Sequence, residues 1–327
     1  MALRVARLIF PDPMVELLLM LRHQGLAAII LLGILCLTAQ AQTQSETRQQ
    51  LRQDLEANKL QEAVMLGEKA VSQWPQDPEI RHWLGLAYFK TGSLKPAREQ
   101  LERARELNQQ EPSAHFDLAL VCLTQKDYAA AADELQAVVK LTPTNPLAHV
   151  LLGRAYLNSN RNVQAIDEFK TALRLDPGIR LGHYHLGFAY GSLGRNDEAI
   201  AEYKTELQRS GENPETVYQL GHALLESGKH AVAIGYLRRA SELSPRDPDV
   251  WYNLGKAQLL AGQSAQAEAS LLKAIELNPK DPSPHYQLAR ALEKLGRAED
   301  ARGERQRFAE LKKAQTATAG MATARDQ

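Results

Sequence analysis

The chain has 327 residues, with 39 Lys and Arg balanced by 39 Asp and Glu, so its formal net charge is zero. That balance excludes a generally basic nucleic-acid binder, which would carry a cationic excess or face. Two cysteines exclude a disulfide framework, and length alone would suggest two domains.

Residues 1–41 come first in chain order and stand apart. They hold Arg4, Arg7, Arg22, Asp12 and Glu16, which leaves 36 basic and 37 acidic residues, a charge of −1, in the remainder. Leu26 to Leu37 is an apolar run of twelve residues, preceded by Arg22 and His23 and followed by Ala39-Gln40-Ala41. Charged start, apolar middle and small-residue site in that order predict a secretory signal peptide cleaved after Ala41. The run is short for a membrane span, which needs about 20 apolar residues. An uncleaved membrane anchor is the alternative, and translation from Met14 or Met20 would shorten the leader. Cleavage would leave Cys122 as the one cysteine, in the place that Tyr156 and Tyr190 hold elsewhere, where a buried filler is expected.

From residue 44 the chain repeats every 34 residues. Ala63, Ala97, Ala131, Ala165, Ala199, Ala233, Ala267 and Ala301 keep that spacing, as do Leu84, Leu118, Leu152, Leu186, Leu220, Leu254 and Leu288. A fixed period of this size predicts a stack of small units in place of one globular core, so the two-domain expectation is set aside. In the unit 146–179, Asn145 caps a first helix and Pro146 suits its first turn. Asn160 marks a turn, where Gly92, Gly194, Gly228, Gly262 and Gly296 stand in other units. The second helix carries Ala165, Phe169, Ala172 and Leu175 as an apolar stripe, and Pro177 stops it. Gly85, Gly153, Gly187, Gly221 and Gly255 lie twelve residues before the repeating alanine, where small residues let the two helices approach closely.

The run Trp251-Tyr252-Asn253-Leu254-Gly255-Lys256-Ala257, followed by Gly262, Ala267, Ala274 and Pro279, resembles a tetratricopeptide repeat. The same frame fits 44–77, 78–111, 112–145, 146–179, 180–213, 214–247, 248–281 and 282–315. The resemblance implies an all-α, right-handed α-α superhelix of about eight helix-turn-helix repeats, continuous over 42–315. Residues 316–327 are small and polar and are expected to form a disordered tail. Departures occur. Repeat 1 has Gln50 and Leu51 for the leucine–glycine pair, and repeat 3 has Ala119 and Lys126 at the glycine places. Gln109 and Gly211 replace a proline. Glu206 replaces an alanine and reads as drift at a half-exposed edge, or else as a soft joint between repeats 5 and 6.

No HExxH, phosphate-loop or dinucleotide pattern is present, so no catalytic, cofactor or metal residues are expected. His115, His149, His183 and His285 recur at one place in the repeat. At the pitch of stacked helices, about 10 Å, three of them cannot converge on one metal, and only two adjacent ones with help from His185 could. They read as local substitutes for Trp251. The resemblance implies that first helices line a concave groove, faced by the second, fifth, sixth, ninth, twelfth and thirteenth places of each repeat, of which the fifth and ninth carry the aromatics and cations. On that basis the candidate partner-binding residues are Phe116, Arg154, Tyr184, Phe188, Tyr218, His222, Tyr252, Lys256, Tyr286 and Arg290. Tyrosines there could receive apolar side chains, and Lys256 and Arg290 could pair with carboxylates of a partner.

The expected function is a non-enzymatic scaffold or adaptor. It would bind an extended segment or helix of another protein, exported to the periplasm or beyond, in envelope or secretion assembly. Neither nucleic acid nor, after cleavage, membrane insertion is expected. Alternatives are an accessory subunit that presents substrates to a partner enzyme, a membrane-anchored scaffold and a self-associating rod.

Overall fold

The computed structural model describes residues 42–325, with side chains described as far as Thr316. The expected leader, residues 1–41, lies outside the described residues. One helix spans 42–56 and fifteen more run from Leu60 to Arg325; no strand occurs among the described residues. The helices group into two compact units that divide after Asp127, at the turn inside repeat 3.

The first unit holds the helix 42–56, then Leu60–Gln73, Pro78–Lys90, Leu94–Leu107 and Pro112–Thr124. The second starts with Tyr128–Leu141. Its first helices are then Pro146–Asn158, Gly182–Ser192, Pro214–Glu226, Pro248–Leu260 and Pro282–Lys294. Its second helices are Asn162–Leu175, Asn196–Ser210, His230–Leu243, Ser264–Leu277 and Ala298–Arg325. Within each unit every helix packs on its neighbours in sequence. First helices also approach the first helix of the next repeat, and second helices make no comparable approach among the described residues. First helices therefore form the inner layer of each unit.

Local chemistry explains the period. The carboxylate or amide oxygens of Asp77, Glu111, Asn145, Asn213, Asp247 and Asp281 accept backbone N–H groups of the helix that follows, and proline occupies the first turn each time. Between the helices of a pair, Asn58, Gly92, Lys126, Asn160, Gly194, Gly228, Gly262 and Gly296 all have φ between 56° and 81°. The turn is left-handed at every one of these positions, which glycine tolerates best and asparagine next. All eight repeating alanines are buried. A Cβ on Gly153 would stand 2.6 Å from Phe169 Cε1, and one on Gly255 2.6 Å from Leu271 Cγ. The close approach is thus between the glycine and the large side chain of the second helix, with the alanine backbone beside it.

The fourth place ties successive repeats. Arg81 Nε donates to Pro75 O at 2.8 Å, and Trp251 Nε1 to Pro245 O at 3.0 Å. His115 Nε2 and His149 Nε2 lie 3.2 and 3.0 Å from Gln109 O and Pro143 O, the equivalent carbonyls. His115 and His149 thus replace Trp251 bond for bond, whereas His285 Nε2 is buried without a partner among the described residues. His149, His183 and His285 also place Nδ1 2.6–2.7 Å from Glu168, Glu202 and Glu304 on their own second helices. Cys122 is buried as expected.

Repeat 5 corrects one expectation. Ile179 and Arg180 replace the Asn–Pro or Asp–Pro start, and the first helix begins late, at Gly182, after Leu181 in a left-handed conformation with φ 60°. No side chain at the cap position serves its first amides. Glu206 does so from the second helix. It is 3% exposed; its Oε2 accepts Tyr184 N–H at 3.3 Å and its Oε1 accepts Ser210 Oγ–H at 2.7 Å. Glu206 is therefore a buried, bonded acid that stands in for the missing cap, and drift at a half-exposed edge does not describe it. The last helix also differs from expectation, running to Arg325 without ending at residue 315. No proline follows Leu311, and the alanines there favour continuation.

Candidate functional site

In the second unit the inner layer opens into a cleft of about 520 Å³ between repeats 5 and 6. Phe188, Gly191 and Ser192 of one first helix face Gln219, His222, Ala223 and Glu226 of the next, with Tyr203 of the second helix behind them. Phe188 is 39% exposed although it is large and apolar. Gly187 lets Tyr203 reach the cleft, since a Cβ there would stand 2.9 Å from the ring.

Aromatic rings continue along this face. Tyr184 lies 6.4 Å from Phe188 and 6.0 Å from Tyr203, centroid to centroid, and Tyr218 lies 6.2 Å from His222. His185 stacks on Phe169 at 5.5 Å; burial first, then the Arg154 charge, push it down to about 4. His222 is also lowered, chiefly by burial. Burial raises Tyr184 and Tyr203, with Glu215 adding to both, and Tyr218 is pushed up to about 12 by burial and then Asp249, Asp247 and Glu215.

Of the expected groove residues, Phe188 and His222 line the cleft and Tyr184 and Tyr218 flank it. The tyrosines have structural work as well. Tyr218 OH accepts Asn253 Nδ2–H at 2.9 Å, and its ring packs beside Val217, Ala240 and Val250. Tyr184 OH donates to Glu215 at 3.4 Å. Tyr252 packs on the cluster of Leu259, Leu271 and Leu288. Tyr286 is exposed, 5.4 Å from Phe308, with the Arg290 guanidinium 6.0 Å from its ring. Lys256 Nζ lies 2.8 Å from Glu226, so its charge is already met within the chain. Arg290 donates to Gln287 at 2.9 Å, and Arg154 is exposed. Phe116, half-buried, belongs to the first unit, where the neighbouring fifth-place His82 is buried with Nε2 2.6 Å from Asp117.

Gln219 and Glu226, at the sixth and thirteenth places of repeat 6, line the cleft as those places imply, although neither was singled out as a candidate. Sequence reasoning missed Tyr203, which shares its place with Phe169, where the pattern signalled packing and not a site. Repeat 1 also presents Arg48 and Arg52 beside Trp83 around a cleft of about 320 Å³, with Arg48 held 2.7 Å from Asp77. Among the described residues no three His, Cys, Asp or Glu gather to hold a metal ion, and no helix is long and apolar enough to cross a membrane.

Family models match along the chain. Tetratricopeptide repeat models match residues 123–183, 182–209, 218–282 and 270–303. The chain is a tetratricopeptide repeat protein. A model of anaphase-promoting complex, cyclosome, subunit 3 matches residues 56–138 of this repeat protein. Among solved structures it is similar to YrrB, a tetratricopeptide protein with an unusual peptide-binding site: 19% identity, TM-score 0.50, covering 55% of this chain and 93% of that one. It is also similar to the Cut9–Hcn1 hetero-tetramer, with 18% identity and TM-score 0.54, covering 74% of this chain but only 48% of that one. A MamA structure shares 30% identity over 50% of this chain and 97% of its own, with TM-score 0.48. No curated protein matches the sequence. At these identities YrrB and Cut9 speak for the fold alone.

Proposed function

We propose that this tetratricopeptide protein is a non-enzymatic scaffold that holds a segment of a partner protein, extended or helical, in the groove of its second unit. The observation that carries the reading is the cleft between repeats 5 and 6, with the large apolar side chain of Phe188 left open to solvent at its wall. An open apolar anchor beside half-buried aromatics is the arrangement that supports segment binding, because a preformed surface need not be ordered on association. The Lys256–Glu226 pair argues against a carboxylate-binding role for Lys256. Export, to the periplasm or beyond, with a role in envelope assembly, belongs to the same proposal and is supported by the leader pattern of residues 22–41.

A photo-crosslinking residue at position 188, activated in intact cells, tests the reading. It should capture one or a few partners through the cleft, and the same probe at Lys273 on a second helix should not. Equal labelling from both positions would refute the groove. Edman sequencing of the mature protein should start at Gln42; a retained leader would replace export with anchoring.

A further inference from the structure

The groove has two unlike edges in repeats 6 to 8. Where the first helices begin, Glu215, Asp247, Asp249 and Asp281 line up, and none has a cationic partner among the described residues. Asp247 and Asp281 accept the N–H groups of Asp249 and Ser283 at 2.9 Å, which is capping work. Glu215 accepts Gln219 Nε2–H at 2.9 Å as well as the Tyr184 hydroxyl, and both Glu215 and Asp249 are exposed. At the other edge Glu226 is neutralised by Lys256. The free negative charge is thus on one side.

Helix stabilisation alone does not account for this edge. An acid in a first turn should ionise more readily, because the helix N-terminus is partially positive. Asp249 is shifted the other way, by burial and then by Asp247 and Asp281. Burial does most of this, and repulsion from Asp247 and Asp281 adds to it. Burial chiefly raises the hydroxyls of Tyr218 and Tyr203, and these carboxylates add to it. A cation brought alongside would pair with carboxylates that form no ion pair among the described residues.

We infer that the groove selects a partner segment in which an apolar side chain, seated against Phe188 and Ala223, is accompanied by lysine or arginine facing Glu215 and Asp249. This rests on the groove reading above and adds the chemistry of its occupant. Charge complementarity of this kind sets selectivity and salt dependence more than total affinity.

The test uses the mature chain and two fluorescein-labelled peptides, one of alternating leucine and lysine and one of alternating leucine and glutamate, read by fluorescence anisotropy. The lysine peptide should bind at least about tenfold more tightly at about 50 mM salt, and the gap should narrow at about 500 mM. Combining Glu215→Gln with Asp249→Asn should weaken the lysine peptide about three- to tenfold, whereas Glu242→Gln on a second helix should leave it unchanged. Phe188→Ala should weaken both peptides with helicity intact. Equal affinity for the two peptides, or an unaffected double variant, overturns the charge inference; the groove survives that result if Phe188→Ala still weakens binding. Indifference to Phe188→Ala, or no binding of either peptide, overturns groove and inference together.

Discussion

Replacing Glu206 by alanine tests whether a second-helix acid caps the first helix of its own repeat. The substitution removes the acceptor of Tyr184 N–H at 3.3 Å and of Ser210 Oγ–H at 2.7 Å, at a residue 3% exposed. Loss of a cap costs about 0.5–2 kcal/mol, and a stranded buried donor about 1–3 kcal/mol. Two things pull the sum down: the amide bond is long, and burying a carboxylate is itself unfavourable. The expected net loss is about 1–2 kcal/mol, with Glu206→Gln losing less because an amide oxygen remains to accept. In a repeat array the loss should be local, so the sharper assay is hydrogen exchange. Amides 183–186 should exchange faster in Glu206→Ala, while those of Pro248–Leu260 keep their protection. Urea unfolding followed by circular dichroism gives the global figure. Unchanged exchange at 183–186, or a variant as stable as the parent, would refute the cap.

Other outcomes follow from the same geometry. His185 is held neutral, its folded value of about 4 lying below the ordinary 6.5, so its contribution is complete above about pH 6.5 and is lost as pH falls toward 4. His185→Gln should flatten that part of the stability profile by up to about 3 kcal/mol, at about 1.4 kcal/mol per unit; an unaltered profile would refute burial as the cause. Gly153→Ala should cost about 1–3 kcal/mol by pressing on Phe169. Gly235→Ala has no atom within 4 Å of the new Cβ and should stabilise by about 0.5–1 kcal/mol in thermal melts. Deleting residues 248–327 should leave the preceding helices folded, as judged by circular dichroism, if stability is a sum over neighbours.

The fold was legible because each local rule repeats. Asn145-Pro146 and Asp247-Pro248 announce helix starts, Gly92 and Asn160 announce turns, and Ala165 with Phe169 announces a buried stripe. Glu206 was misread for the opposite reason. Its partner Tyr184 lies 22 residues earlier on another helix, and its role follows only once Ile179 and Arg180 are seen to leave that helix without a cap. Histidines at the fourth place were assigned correctly to packing, but their bonds to Gln109 O and Pro143 O depend on how the chain turns between repeats, which no spacing within a helix reveals.

The groove residues show where sequence reasoning stops. The place of Tyr218 and Lys256 in the repeat was enough to put both on first helices, yet their chemical availability depends on the adjacent repeat. Tyr218 meets Asn253 35 residues on, and Lys256 meets Glu226 30 residues back. Those separations are one period plus one and one period minus four, so they join the faces of neighbouring first helices. A reading of helix-spaced partners within one helix overlooks both. Glu215 and Asp249 form no such ion pair with a neighbouring repeat among the described residues. Lys256 therefore should not govern partner binding, although its place in the repeat made it, with Arg290, a candidate for pairing with a partner's carboxylates. Lys256→Gln frees Glu226 at the cleft, so a basic segment should bind as well as before or slightly better, while stability falls by less than about 1 kcal/mol, as for an exposed pair. Anisotropy titration of Lys256→Gln with the leucine–lysine peptide checks this. A strong loss of affinity would show that Lys256 contacts the partner directly, and the division of the groove into one charged and one neutral edge would have to be abandoned.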